Sequence, residues 1–360
     1  MRPSTTKRRA PLGIGDVRLI AQTVAVAKRP LVICGPALNE TRSSGQIAAL
    51  EAALDAPVGA MESPRGRNDP ALGRFAEALA QADVIVCLGK RIDFTLGFGA
   101  VGPFAADCRW IVVEADATER SRAHLNLGKR LAACFAADPR DAVTDLIDAA
   151  QPASGRAEWR ETVAKLIAAR DFSATDQVAS GKITPAQLCA AIQRQVAKAK
   201  SSVVICDGGE FGQWAQAATH ADKRIINGIS GAIGGGLCYG LGAKMAAPDA
   251  TVFSLMGDGT AGFHLAEFET AVRAGTPYIV VIGNDQRWNA EHQIQMRDYG
   301  ADRLIGCDLS TARYDQAAQG LGAHGEYVTR LDDLDAALER AVGSGKVACV
   351  NVMIEGLPAP

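Results

Sequence analysis

The sequence predicts an α/β protein with two doubly wound domains, each built on a parallel sheet. Short apolar runs that end in Gly, Asp or Asn alternate with amphipathic helical patterns, which is the order of βαβ units. The 360 residues suffice for two domains, since a domain commonly has roughly 100–200 residues. A polar stretch with Pro and Gly, "QPASGRAE" (151–158), separates two such series.

The first series predicts a central domain over residues 14–150, followed by a linker over 151–182. Its strand candidates are short apolar runs: "PLVICG" (30–35), "DVIVCLG" (83–89) and "WIVVEAD" (110–116). Its helix candidates have amphipathic patterns: 43–54, 71–82 and 140–151.

The second series predicts another α/β domain over residues 183–360. Thr184 is its first predicted helix N-cap, with Pro185 in the first helical position. The strand candidates are again short apolar runs: 202–209, 223–230, 250–259, 276–285 and 347–356. Helical patterns cover 183–196 and 264–275.

Composition argues against several classes of function. The net charge of −2 shows no basic excess for nucleic acid. No apolar run approaches the roughly 18–20 residues that span a membrane. The nine cysteines lack C-x-x-C spacing and several lie in apolar runs, which is typical of buried thiols rather than disulfides or a zinc site. Without a secretory signal, these features predict a cytoplasmic protein that binds small molecules or proteins.

An acidic residue between two glycines ends the apolar run 250–259. Gly257-Asp258-Gly259 would leave the strand at the sheet edge where α/β proteins bind ligands, and glycines allow close backbone approach. The N–H groups of a following helix can hold phosphate oxygens. Asp258 would repel a phosphate unless a divalent cation lies between them, as Mg²⁺ does. Asn284 and Asp285 end the next strand and offer oxygen ligands to the same cation.

Other interpretations of these residues stay open. Asp258 and Asp285 also suit ordinary turn and helix-cap positions. The glycines of "GAIGGG" also suit close helix packing or a nucleotide-binding turn, although the G-x-G-x-x-G pattern of that turn is absent. His220, His264 and His292 are acid–base candidates by residue type, but a lone histidine is more often structural.

Gly257-Asp258-Gly259, Glu267 with Thr270, and Asn284-Asp285 together resemble the thiamin-diphosphate-binding motif. The wider segment, including "NGISGAIGGGLCYGLGAKMAAPD" (227–249), is similar to acetolactate synthases, benzoylformate decarboxylases and benzaldehyde lyases. "GKRIDFTLGFG" is similar to 2-hydroxyacyl-CoA lyases. The first half resembles the central, non-catalytic domain of the same superfamily, so the resemblance covers nearly the whole chain.

The resemblance implies a role for each of these positions. Asp258, Asp285 and the backbone carbonyl of Arg287 would bind Mg²⁺, although relatives usually have Asn where this chain has Asp285, and Asn284 is the alternative ligand. Glu210 also departs from relatives, because its charge would repel a diphosphate unless the side chain points away. The remaining cofactor-binding positions implied by the resemblance are Gly209, Phe211, Ala232, Ile233, Gly257, Gly259, Thr260 and Trp288, with Glu210 in the same loop.

The resemblance assigns no catalytic residue to this chain. Relatives have a first domain that binds the aminopyrimidine and donates the glutamate that activates the cofactor, whereas here the central-domain resemblance begins near residue 14. We therefore expect a smaller partner subunit with the pyrimidine domain, in a hetero-tetramer or similar dimer of dimers. Ile233 would support the bent cofactor under its thiazolium ring. The region 63–83 is compressed relative to flavin-binding relatives, which predicts no flavin.

The expected function is that of one subunit of a split thiamin-diphosphate-dependent C–C lyase or carboligase, a lyase or transferase that acts on a small carbonyl compound. A 2-oxo acid decarboxylase is the alternative within the same chemistry. A non-catalytic regulatory subunit that binds thiamin diphosphate is the alternative outside it.

Overall fold

The computed structural model describes residues 10–43, 45–149, 155–169, 180–228 and 230–360. The chain divides into two compact units, Met1–Ala169 (unit 1) and Arg170–Pro360 (unit 2). Each unit contains one sheet whose described strands pair in parallel, with helices between the strands. The predicted α/β fold class is therefore confirmed.

The sheet of unit 1 has five described strands: β1 (Pro30–Cys34), β2 (Val58–Ala60), β3 (Val84–Leu88), β4 (Arg109–Val113) and β5 (Leu131–Phe135). Their order in the sheet is β2-β1-β3-β4-β5. The helices of this unit are α1 (Ile14–Val26), α2 (Glu40–Ser43), α3 (Gln46–Leu54), α4 (Phe75–Gln81), α5 (Ala117–Leu127), α6 (Pro139–Ala149) and α7 (Ala157–Ala168).

The central strands β1 and β3 are apolar throughout because both faces of the sheet are covered. Val32 and Val86 point into one buried cluster, on the side of α1, α3 and α6. Ile33 and Ile85 point into the other, on the side of α4, α5 and α7. The sheet thus separates two apolar layers of unit 1.

The range predicted to be a linker, 151–182, contains a helix of unit 1. Trp159 on α7 is buried in the unit 1 core, and its indole N–H donates to the carbonyl of Pro30 at 2.8 Å. Unit 1 therefore extends past residue 150, because the apolar side of α7 is buried in the core of this unit. Residues 150–154 and 170–179 lie outside the described residues.

The sheet of unit 2 has six described strands: β6 (Ser202–Cys206), β7 (Lys223–Ile226), β8 (Thr251–Gly257), β9 (Ile279–Asn284), β10 (His324–Val328) and β11 (Ala348–Met353). Their order is β10-β11-β9-β8-β6-β7. The helices are α8 (Pro185–Lys198), α9 (Gly209–Ala218), α10 (Gly236–Ala246), α11 (Asp258–Ala261), α12 (Glu267–Arg273), α13 (Asn289–Tyr299), α14 (Tyr314–Gly320) and α15 (Leu331–Gly343). No helix in the described part of the chain is both long and apolar enough to cross a membrane.

The connections of unit 2 reverse direction between β6 and β8. From β6 the chain moves to β7 on one side and then returns to β8 on the other. Val204 and Cys206 of β6 lie in one buried cluster, whereas Val203 and Ile205 lie in a second on the opposite face. In doubly wound sheets of this kind, ligands bind at the carboxyl ends of the strands beside the reversal.

The sequence prediction missed three strands, all at sheet edges: β2, β5 and β10. β2 has 3 residues, and most residues of β5 and β10 are only partly buried. An edge strand has one neighbour and less burial, so its sequence lacks the apolar run that marks a central strand.

Candidate functional site

The two carboxylates that the sequence singles out lie at the carboxyl ends of neighbouring strands. β8 pairs with β9 so that Gly257 is opposite Gly283. Asp258 follows as the first residue of α11, and Asp285 follows the last residue of β9. The sheet therefore brings both residues to one edge, beside the reversal between β6 and β8.

Burial raises the pKa of both carboxyl groups. Asp258 is 1% exposed, and burial raises its pKa to about 6, although backbone N–H groups of Gly259, Gln286 and Arg287 act to lower it. Burial, and then the charge of Asp258, raise the pKa of Asp285 to about 7. Within the described ranges, Asp258 Oδ2 is buried without a hydrogen-bond partner. Two neighbouring carboxylates, one buried with an unused oxygen and one partly buried, favour a bound cation.

The donors at this edge suit a hard divalent cation. Asp258 and Asp285 supply carboxylate oxygens, which Mg²⁺ prefers, and the backbone of Arg287 passes close to Asp258. Among the residues that the structure describes, no group of three or more His, Cys, Asp or Glu side chains could hold a metal. The backbone carbonyl of Arg287 stays the predicted third protein ligand.

The turn after β9 has an uncommon backbone conformation. Gln286 has a φ of 62°, in the left-handed region that residues other than glycine rarely adopt. The N–H of Leu309 donates to the carbonyl of Gln286 at 2.7 Å, and the N–H of Trp288 donates to the carbonyl of Cys307 at 2.8 Å. These two bonds hold the backbone on both sides of Arg287.

Asn284, the alternative metal ligand, has partners inside unit 2 for both ends of its amide. Its Oδ1 accepts the N–H of Gln286 at 3.2 Å, and its Nδ2 donates to Asn351 Oδ1 at 3.1 Å. The side chain is fully buried. Asp285 is therefore the better candidate for a cation ligand.

Gly259 allows the close approach of Trp288. A methyl group at Gly259 would lie 2.7 Å from the indole ring, closer than carbon atoms pack. Trp288 also makes an edge contact with Phe263, with 6.0 Å between ring centroids. The two rings therefore form an apolar wall next to the start of α11.

The start of α9 offers backbone N–H groups at the same edge. Gly208 precedes α9 and has no side chain to cap the first N–H groups, and Gly209 has a φ of +81°. Thr260 Oγ1 donates to the carbonyl of Gly208 at 3.3 Å, so the starts of α9 and α11 are adjacent. Anions bind at helix N-termini because the N–H groups and the helix dipole both favour negative charge. This arrangement suits a phosphate group beside the two carboxylates.

Glu210 and Phe211, both predicted to bind the cofactor, use their side chains elsewhere. Glu210 is buried, and its carboxylate accepts a hydrogen bond from the N–H of Ala359 at 2.5 Å. The ring of Phe211 lies in the core of unit 2, against Gly283. Any contact of these two residues with an anion would therefore come from their backbone.

Asp207 organises the glycine-rich loop between β7 and α10, and the sequence analysis did not identify it. Its carboxylate accepts the N–H groups of Gly208 at 2.6 Å, Gly234 at 3.2 Å and Gly236 at 2.6 Å. Burial raises its pKa, although these hydrogen bonds act to lower it. The sequence does contain a signal for Asp207, because this residue directly follows the apolar run of β6.

The glycine-rich loop also carries the predicted Ile233. Its side chain occupies the space where a side chain of Gly208 would lie, and it is half-buried, whereas Ala232 is exposed. Asn227, a further residue that the sequence analysis missed, lies next to Gly208. Its buried Oδ1 has no partner in the described part of unit 2, so it is available to a ligand.

The three histidine candidates have different surroundings. His264 Nδ1 lies 2.7 Å from the carbonyl of Gly234 and so donates to it. His220 is exposed, and its backbone bonds with the side chain of Gln193. Burial, and then the charge of Arg287, lower the pKa of His292. His264 is exposed and supports the glycine-rich loop through its hydrogen bond to Gly234.

Residues 207–352 match the family model described as "Thiamine pyrophosphate enzyme, C-terminal TPP binding domain". A probable acetolactate synthase of Mycobacterium bovis is 31% identical over 350 residues, which cover 93% of this chain and 61% of that protein. Human 2-hydroxyacyl-CoA lyase 2 is 28% identical over 332 residues, which cover 88% of this chain and 51% of the lyase. The chain thus spans between half and two thirds of the length of these relatives.

A solved structure with the same fold is the thiamine diphosphate-dependent 4-hydroxybenzoylformate decarboxylase of Rhodococcus jostii. The match has a TM-score of 0.78 at 20% identity and covers 98% of this chain and 66% of that chain. Together, the family model, the relatives and this fold confirm the resemblance. The chain belongs to the thiamin-diphosphate-dependent enzyme superfamily, and its second unit contains the thiamin-diphosphate-binding domain.

Proposed function

We propose that this chain binds Mg²⁺ and the diphosphate of thiamin diphosphate for a C–C lyase or carboligase reaction on a small carbonyl compound. The observation that carries the proposal is the neighbouring pair of a buried Asp258 and a partly buried Asp285, whose pKa values are raised to about 6 and about 7. A cation between them offsets their repulsion and links them to an anionic ligand. The start of α9 supplies N–H groups for that ligand.

In this proposal the residues of the chain bind and orient the cofactor. Asp258, Asp285 and the carbonyl of Arg287 hold Mg²⁺, the backbone at the start of α9 and Thr260 hold the diphosphate, and Ile233 supports the middle of the cofactor. When bound, thiamin diphosphate supplies a nucleophilic carbon for attack on a carbonyl compound. The hydrogen bond between Ala359 and Glu210 supports the proposal, because it engages a carboxylate that would otherwise repel a diphosphate at the start of α9.

A smaller partner subunit supplies the pyrimidine-binding domain and the activating glutamate in this proposal, in a hetero-tetramer or similar dimer of dimers. An exposed apolar rim beside the site supports it: Tyr239 and Phe263 are 46% and 56% exposed. Phe263 contacts Trp288, and the ring of Tyr239 lies next to Gly235 in the glycine-rich loop. A protein that covered this rim would exclude water from the site and bury apolar surface.

Calorimetric titration tests the cofactor site directly. Thiamin diphosphate is titrated into the chain with and without Mg²⁺, first alone and then with a candidate pyrimidine-domain protein. We expect binding that requires Mg²⁺ and that tightens with the partner. Absence of any Mg²⁺-dependent binding in both conditions would contradict the proposal.

Turnover assays separate the alternative functions. The chain, the partner and their mixture are supplied with a 2-oxo acid, with and without an aldehyde acceptor. A product with a new C–C bond supports the carboligase, and release of CO₂ and aldehyde alone supports a 2-oxo acid decarboxylase, the activity named for the solved relative of the same fold. Full activity of the chain alone would refute the split site. Cofactor binding without turnover in every assembly would favour a regulatory subunit.

A further inference from the structure

A row of buried polar side chains leads from the turn after β9 across β11 to α14. Asn284 Nδ2 donates to Asn351 Oδ1 at 3.1 Å, and Asn351 Nδ2 donates to Asp315 Oδ1 at 3.2 Å. Asn284 and Asn351 are 0% exposed, and Asp315 is 3% exposed. Arg313 completes the row at its outer end. We call these four residues the polar relay.

The two ends of the polar relay determine its direction. The backbone N–H of Gln286 donates to Asn284 Oδ1 at 3.2 Å at the inner end. At the outer end, Arg313 donates to the two oxygens of Asp315 at 3.0 and 2.7 Å. Burial acts to raise the pKa of Asp315, but hydrogen bonds from Arg313 and Asn351 outweigh it and lower that pKa. Since a carboxylate only accepts, Asn351 must donate to it and Asn284 must donate to Asn351. One orientation of the two amides therefore satisfies both ends.

The polar relay ends at the turn that carries the proposed metal ligands. Asn284 directly precedes Asp285 and bonds with Gln286, whose φ of 62° is uncommon for a residue with a side chain. The carbonyl of Ala312 also accepts from Asn284 at 3.4 Å and from Asn351 at 3.3 Å. A backbone in this region persists only where several contacts hold it. The polar relay supplies such contacts to the turn from β11 and α14, through Asn284.

We propose that the polar relay is a positioning device for the metal site, an inference that rests on the proposed function of that edge. It holds the turn at Gln286 so that the Asp285 carboxylate and the Arg287 backbone face Asp258. Asn351 and Asp315 do not contact the cation and act on it only through Asn284. Loss of either residue would let the turn relax and would weaken cation binding while leaving the sheet folded.

The variants Asn351→Leu and Asp315→Asn test this inference, because both nearly preserve side-chain shape. The first removes the link to Asn284, and the second removes the carboxylate that orients both amides. Mn²⁺, used in place of Mg²⁺, is titrated in the presence of thiamin diphosphate, and free Mn²⁺ is measured by electron paramagnetic resonance. We expect roughly 10–100-fold weaker Mn²⁺ binding in both variants, the range typical of partners that orient metal ligands.

Val350→Ala is the matched control, since Val350 is buried on β11 in an apolar cluster and is not part of the relay. It should lower the thermal midpoint of the metal-free protein and leave Mn²⁺ affinity unchanged. If Asn351→Leu does not fold, Asp315→Asn, which keeps volume and polarity, decides the question. The inference is overturned if Mn²⁺ affinity is unchanged in Asn351→Leu and Asp315→Asn, or if Val350→Ala loses as much Mn²⁺ affinity as they do. Neither result would contradict the proposed cofactor site. If the unaltered chain binds no Mn²⁺ with thiamin diphosphate, the proposed function itself fails.

Discussion

Units 1 and 2 each contain a parallel doubly wound sheet, but the charged residues at the carboxyl ends of their strands differ. Unit 1 has a cation with a nearby counter-charge, whereas unit 2 has two carboxylates. In unit 1, Lys90 follows β3 and is 1% exposed. Its ammonium donates to Thr95 at 2.7 Å, and the Thr95 hydroxyl donates to Asp93 at 2.5 Å. In unit 2, Asp258 and Asp285 are two like charges, and the charge of Asp258 helps to raise the pKa of Asp285.

The difference indicates which sheet edge needs a ligand. Burial lowers the pKa of Lys90, and the charge of Asp93 opposes that effect, so unit 1 contains the counter-charge for its own buried cation. Buried like charges instead cost free energy until an ion of opposite sign binds. Removing a charge should therefore destabilise unit 1 but not metal-free unit 2, and the predictions below test this contrast.

Asp258→Ala is expected to have the largest effect on binding. It removes a direct ligand, so Mg²⁺-dependent binding of thiamin diphosphate should weaken by more than the roughly 100-fold upper range for residues that only orient ligands. Calorimetry measures this loss. The free energy of unfolding of the metal-free protein should change little. The variant loses the unfavourable buried charge, but it also loses the favourable packing and backbone hydrogen bonds of that side chain.

Lys90→Met should lower the free energy of unfolding by about 3 kcal/mol, since Asp93 would be left buried without its cation. Urea denaturation measures the change. Cofactor binding should stay unaltered, because Lys90 belongs to the other unit. If Lys90→Met and Asp258→Ala destabilise the metal-free protein equally, the contrast between the units is wrong.

Gly259→Ala should destabilise the chain by about 1–3 kcal/mol, the usual cost of overpacking, because the added methyl group meets the Trp288 ring. Gly262→Ala is the control, since nothing lies within 4 Å of a methyl group there. Urea denaturation of both variants gives the comparison. Equal stability of the two would show that Trp288 does not pack on Gly259.

A further expected effect is on the pH dependence of stability. Both carboxyl groups have folded pKa values, about 6 and about 7, above the ordinary value of 3.8. The stabilisation that comes from these raised pKa values is fully present at a pH below 3.8, and it is lost as the pH rises through about 7. Without metal, the free energy of unfolding should therefore fall over this range, and Asp285→Asn should flatten the fall. Urea denaturation across the range checks this, and an unchanged slope in Asp285→Asn would count against it.

Local signals made much of the molecule predictable. The central strands were visible as apolar runs, and Asp258 and Asp285 were visible as polar residues directly after two of them. The start of α8 was predicted as well: Thr184 Oγ1 accepts the N–H of Gln187 at 3.2 Å, and Pro185 is the first helical residue.

Contacts between distant parts of the chain were not predictable in this way. Glu210 bonds with a residue 149 positions away, and Asp207 bonds with residues 27 and 29 positions away. The ring of Phe211 lies in the core, and the sequence does not show that Gly283 leaves room for that ring.

By itself, the sequence determined the α/β class, the superfamily and the two carboxylates at the ends of β8 and β9. The α/β class and the two carboxylates follow from short-range patterns of apolar and polar residues, and the superfamily follows from the resemblance of the motif residues to those of known proteins. Only the tertiary structure decided that the Asn284 amide is engaged by Asn351, that Asp258 keeps an unused oxygen, and that Glu210 is bound by the C-terminal segment. The physical reason is that burial, charge repulsion and hydrogen bonding depend on residues that the fold brings together from distant parts of the chain.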